Sequence, residues 1–100
     1  MAPVIPEIDS FIHEPARLRV LAFLAMVEAA DFMYLLRQTG LTRGNLSVQA
    51  TRLEEAGLIE SAKREVEGRL RTTFALTSDG LAALRDYRAT MQEILAAIPR

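Results

Sequence analysis

Thr42-Arg43-Gly44-Asn45-Leu46-Ser47-Val48-Gln49-Ala50-Thr51-Arg52-Leu53-Glu54-Glu55-Ala56-Gly57 is the stretch whose periodicity decides the fold. Thr42 has the side chain of a helix N-cap, Leu46, Ala50 and Leu53 recur at steps of four and three, and Gly57 suits a C-terminal stop. A helix is therefore expected over 43–56, with one apolar stripe turned to a core. The face opposite carries Gly44, Val48 and Thr51, flanked by Asn45, Ser47, Gln49 and Arg52. That face is small and polar.

Working outward, Asp31 stands where an N-cap belongs, 32–39 is a short helical segment whose Phe32, Leu35 and Leu36 can face inward, and Gly40 ends it. The two helices are joined by only a few residues. Further upstream, Leu18, Leu21, Ala22, Leu24 and Ala25 predict a core helix over 15–27, opened by Pro15, whose missing N–H belongs in a first turn. A short helical turn over 8–12 precedes it. Downstream, 58–66 and 69–76 are β-compatible, and Glu67-Gly68 between them lets Gly68 take the positive φ of a tight hairpin. Thr77 or Ser78 then caps a long helix to about 98, in which Leu81, Leu84, Met91, Leu95 and Ile98 keep a near-heptad spacing interrupted by Arg88. The expected class is α+β, mainly helical with a small β-hairpin, as one domain over 1–100.

The close helical pair has the form of a helix-turn-helix, whose second helix enters a DNA major groove. The polar face at 42–52 fits that task. Asn45, Gln49 and Arg52 can donate and accept toward base edges, and Val48 or Thr51 can meet a thymine methyl. Thr42 and Ser47 suit phosphate oxygens, and the amides at the helix N-terminus favour an anion near Thr42, Arg43 and Gly44. Around the hairpin turn, Lys63, Arg64, Arg69 and Arg71 can reach backbone phosphates or a minor groove. Ordinary edge-strand charge is the bland alternative for these four.

The run from Leu41 to Glu60, with Leu53-Glu-Glu-Ala-Gly-Leu-Ile59 at its end, is followed by Gly68-Arg-Leu-Arg-Thr-Thr-Phe-Ala-Leu-Thr77 and Gly80. Together they resemble the winged helix-turn-helix regulators of the MarR and ArsR type, in their short stand-alone branch. The resemblance covers roughly 12–87. It implies a winged helix with the helix-turn-helix at about 32–57, the wing at about 58–76 and a dimerisation helix at about 78–98. It also implies duplex DNA as partner and regulation of transcription, more often repression.

Composition bounds the alternatives. The net charge is −1, but the charges are unevenly placed: two bases against five acids up to Leu36, then seven bases against five acids from Arg37 to Thr73. The middle is the basic part. With no cysteine and His13 as the one histidine, thiol redox sensing is excluded, and a metal site would depend on carboxylates. No cofactor or metal is expected, and no phosphate-loop, zinc or serine-nucleophile motif marks an enzyme. There is no run of about 18 apolar residues, and Met-Ala-Pro-Val-Ile-Pro lacks the basic and apolar segments of a secretory leader, so a cytoplasmic location is expected.

The last helix has more apolar surface than so small a domain can cover. Leu84, Tyr87, Met91, Ile94, Leu95 and Ile98 are the expected dimer interface, giving a two-fold homodimer on an inverted-repeat operator. Phe11, Phe23, Phe32, Met33 and Tyr34 stand either in the core or around an effector pocket. The rival function is a winged-helix module that binds protein, in keeping with the near-neutral charge.

Overall fold

Side-chain caps and glycines set where each helix begins and ends. A computed structural model describes residues 4–100, so the first three residues of the expected domain and leader reading lie outside it. The elements are α1 (Pro15–Leu24), β1 (Ala30–Asp31), α2 (Phe32–Thr39), α3 (Arg43–Glu55), β2 (Ile59–Val66), β3 (Arg69–Leu76) and α4 (Ser78–Ala96). Glu14, Asp31, Thr42 and Thr77 are N-caps, each accepting from amides of the following turn. Gly40 closes α2 at φ 70°, and its amide donates to Leu36 O.

The core joins the elements through residues spaced for one face of each. Val20, Leu21 and Leu24 of α1, Leu35 of α2, Leu46 and Leu53 of α3, and Ile59 of β2 are at most 2% exposed. Each such side chain contributes about 1.5–3 kcal/mol relative to exposure. Phe74 and Tyr87 bring β3 and α4 into the same cluster. The sheet is antiparallel in the order β1-β3-β2, with Ala30 opposite Phe74 and Arg64 opposite Arg71.

Residues 8–12 do hold the expected short turn, closed by His13 N donating to Asp9 O, with Asp9 Oδ1 accepting from Phe11 N and Ile12 N. This seats Ile12, which is fully buried. Several expectations are corrected. α1 stops at Leu24, not 27, because the chain must leave the helix to bring Ala30 beside Phe74. Its deepest face is Ala16, Val20, Leu21 and Leu24, while Leu18 is half-buried and Ala22 and Ala25 are exposed toward α4. β1 was not foreseen. α4 ends at Ala96 rather than 98, since Pro99 disfavours helical backbone at Ile98.

The hairpin turn places both Glu67 (φ 53°) and Gly68 (φ 77°) in the left-handed region, the requirement of a type I′ turn. Glycine meets it freely, whereas Glu67 carries strain of about 1 kcal/mol.

One corner ties α3, β2 and α4 together. Thr77 N donates to Leu58 O, Thr77 Oγ1 donates to Gly57 O at 2.7 Å, and Thr77 Oγ1 accepts from Gly80 N at 2.9 Å. Here α4 passes so close that a Cβ on Gly80 would collide with the Leu58 carbonyl. Gly80→Ala is expected to destabilise the fold by about 2–3 kcal/mol, as overpacking against rigid backbone does. A urea titration followed by circular dichroism measures it, and a midpoint unchanged from wild type would contradict this packing.

Candidate nucleic-acid interface

The direction in which α3 faces follows from what it buries. Leu46 and Leu53 are fully buried and Ala50 is 6% exposed, which leaves Thr42, Arg43, Gly44, Asn45, Ser47, Val48, Thr51 and Arg52 exposed. The polar surface of the helix is thus open along its length. Thr42 Oγ1 accepts from Asn45 N at 3.1 Å and Thr42 O from Leu46 N at 2.9 Å. The amides of Arg43 and Gly44 have no acceptor among the described residues, as first-turn amides generally lack one within the helix. Thr51 Oγ1 donates back to Ser47 O at 3.0 Å, which leaves its methyl and a lone pair for outside contacts.

Gln49 corrects the expected set. It was expected beside the base-reading residues, yet it is only 7% exposed. Its Oε1 accepts from Arg17 Nε at 2.9 Å, and its Nε2 donates to Asn45 Oδ1 at 3.0 Å. Arg17 reaches it because α1 crosses behind α3, and the arginine is itself held by Phe11 O at 3.0 Å and by Glu14 Oε2 at 3.5 Å. The amide of Arg17, then that of Ala16, and the guanidiniums of Arg17 and Arg52 hold the Glu14 carboxyl below the usual carboxylate range. Sequence reasoning missed Arg17. It lies in the acidic end of the chain, and nothing in the sequence relates it to a residue 32 positions away.

In the wing, the register puts Arg64, Arg69 and Arg71 on one face and Lys63 on the other. Lys63, Arg64 and Arg69 are exposed. Arg71 is half-buried, with Nη1 4.0 Å from Asp31 Oδ2. Arg64 and Arg71 are direct cross-strand partners, an arrangement of like charges that costs the hairpin stability and that an anion would relieve.

The interface expected on α4 divides. Tyr87 is corrected out of it: the residue is 9% exposed and its hydroxyl is hydrogen-bonded to His13 Nδ1 at 2.7 Å, within the same chain. Leu84 and Met91 are half-buried against the core, Ile94 is half-buried, and Leu95 and Ile98 are 57% and 61% exposed. Phe11, Phe23 and Phe32 pack on the core and Phe23 meets Tyr34 edge-on at 5.5 Å, while Phe32 and Met33 also line a small surface pocket with Asp31, Arg71 and Thr72.

The winged helix DNA-binding domain family matches residues 16–95, which takes in every element from α1 to nearly the end of α4. The chain belongs to this family. An uncharacterized protein of Methanocaldococcus jannaschii is 37% identical over 71 residues, which are 71% of this chain and 77% of that protein. A transcriptional regulator homologue from Pyrococcus horikoshii OT3 superposes with a TM-score of 0.81 at 25% identity, covering 88% of this chain and 87% of the other. NadR, solved in complex with 4-hydroxyphenylacetate, has a TM-score of 0.70 at 26% identity over 88% of this chain and 64% of its own. Among the described residues of this winged helix, no helix is long and apolar enough to cross a membrane.

Gly44 is the candidate residue of α3 that the fold itself does not require. A Cβ there would meet nothing within 4 Å. Gly44→Ala is expected to stabilise the free domain by about 0.5–1 kcal/mol, the ordinary helical gain. It should weaken duplex DNA binding by about tenfold, because the added methyl would keep a phosphate from closing on the first-turn amides, which costs about one charge-assisted bond. Parallel thermal melts and fluorescence-anisotropy titrations read the two effects, and unchanged affinity would place the DNA elsewhere.

Proposed function

We propose that this chain is a transcriptional repressor of the MarR/ArsR type, one domain over 1–100, that binds an inverted-repeat duplex operator as a homodimer. The observation that carries the DNA reading is the open face of α3 from Thr42 to Arg52 standing beside a wing with three arginines on one face. In this reading α3 lies in the major groove, with Asn45, Val48, Thr51 and Arg52 toward base edges and Thr42, Arg43, Gly44 and Ser47 toward phosphate. Lys63, Arg64, Arg69 and Arg71 grip the adjoining backbone. The protein acts without a catalytic centre or cofactor, in the cytoplasm.

The dimer part rests on the long helix. A groove of about 580 Å³ runs between α1 and α4, floored by Leu18, Ala22, Leu84, Met91 and Leu95. The exposed Leu95 and Ile98 continue it. A second copy's α4 laid there would bury both runs of apolar surface, and two-fold pairing would set the two α3 helices for successive major grooves. Arg85 and Arg88 border the same groove.

Two experiments test these claims. Arg69→Ala with Arg71→Ala should lower duplex affinity and make the plot of log affinity against log salt shallower by about 1–2, since each lost phosphate contact removes about 0.9. An unchanged slope would remove the wing from the interface. Light scattering on the eluted protein should give twice the 11.1 kDa chain mass, and Leu95→Asp should return it to the monomer mass. A wild-type protein that runs as a monomer at micromolar concentration would end the dimer reading.

A further inference from the structure

The exposed amide of Asn45 is held by a line of side chains that reaches back to α1, and that line has a direction. Arg17 Nε donates to Gln49 Oε1, and Gln49 Nε2 donates to Asn45 Oδ1, at 2.9 and 3.0 Å. A guanidinium has no acceptor, so the Gln49 atom facing it must be oxygen. The other end of Gln49 is then its NH2, and the Asn45 atom that meets it must be oxygen too. Flipping either amide would set donor against donor or acceptor against acceptor. One arginine thereby fixes the orientation of two amides that could otherwise turn over freely.

Arg17 is well placed to impose this. Its side chain is 14% exposed, its Nη1 donates to Phe11 O, and its guanidinium lies 4.4 Å from the centre of the Phe11 ring. At the far end Asn45 is exposed, with Oδ1 engaged and Nδ2 unpartnered among the described residues. Asn45 stands in the first turn of α3, the part of a recognition helix that meets base edges.

Resting on the reading of α3 as the recognition helix, we infer that Arg17 and Gln49 are positioning residues that present Asn45 to the major groove as a donor, so that it selects guanine over adenine. An unconstrained asparagine pairs with adenine by accepting from N6 while donating to N7. With Oδ1 turned toward Gln49, its accepting edge is held back against the helix and the NH2 group is the end that faces the groove. Guanine offers O6 and N7, two neighbouring acceptors. Adenine puts an amino group where O6 would stand, donor against donor.

Gln49→Glu tests this because it keeps the shape and replaces the NH2 by oxygen. Arg17 still donates to one carboxylate oxygen, while the other can only accept, so Asn45 must turn its NH2 inward and its Oδ1 to the groove. Selection from random duplexes by the purified full chain, followed by sequencing, reads the base preference of wild type and variant. One position per half-site should pass from guanine to adenine, with their ratio changing on the order of tenfold, and the other positions should keep their preference. Arg17→Met, which keeps a long stem but donates nothing, should relax the same position toward equal use of both purines without changing the salt slope. Circular dichroism melts establish that both variants are folded. A wild-type protein that enriches no motif overturns the assignment of α3 as base reader, and the relay with it. A motif common to all three proteins overturns the relay and leaves α3 standing, as does a uniform loss of affinity with unchanged preference, the mark of a merely structural role.

Discussion

Burial of Leu46, Ala50 and Leu53 is the constraint from which the rest of this molecule follows. A helix has one face to give to a core, and these three residues give it, against α1 and β2. Once they are seated, Asn45, Val48 and Arg52 have no choice but to face outward. The turn from Gly40 to Thr42 then fixes the angle of entry, through a left-handed glycine closing one helix and a threonine capping the next. The outward face is a consequence of the inward one, and α3 carries it as a rigid platform.

Local stability is given up mainly at the surface assigned to DNA. Gly44 weakens α3 where nothing presses on it, Arg64 faces Arg71 across the hairpin, and Glu67 occupies a left-handed turn position without the advantage of glycine or asparagine. Away from that surface the same chain is economical. Four caps are satisfied by side chains, and among the described residues no buried side-chain nitrogen or oxygen lacks a partner. Such local inconsistency confined to one side is the pattern expected where a surface serves binding rather than folding.

α4 serves two purposes along its length. Its first turns lock onto Leu58 through Thr77 and Gly80, and Tyr87 closes the core with His13. Beyond Met91 it is mostly open, with Leu95 and Ile98 57% and 61% exposed. The division falls inside a heptad-like stripe that runs on either side of Arg88, so apolar spacing alone does not mark it.

The sequence by itself determined the elements whose signals are local. α2, β3, the caps at Asp31 and Thr42 and the glycine stops were all legible because hydrophobic period, capping side chain and turn chemistry act within a few residues. Tertiary structure decided what depends on residues far apart in the chain. β1 is two residues long and exists only because β3 offers Phe74 and Thr73 to pair with. Gln49 lies on the flank of α3, equally able to face water or protein, and only the crossing of α1 brings Arg17 close enough to draw it inward. Tyr87 stood among the expected interface residues of α4, and it is the hydrogen bond to His13 that assigns it to the core. A side chain at the edge of a helical face takes its role from whichever neighbour desolvates it, and that neighbour is set by packing, not by spacing.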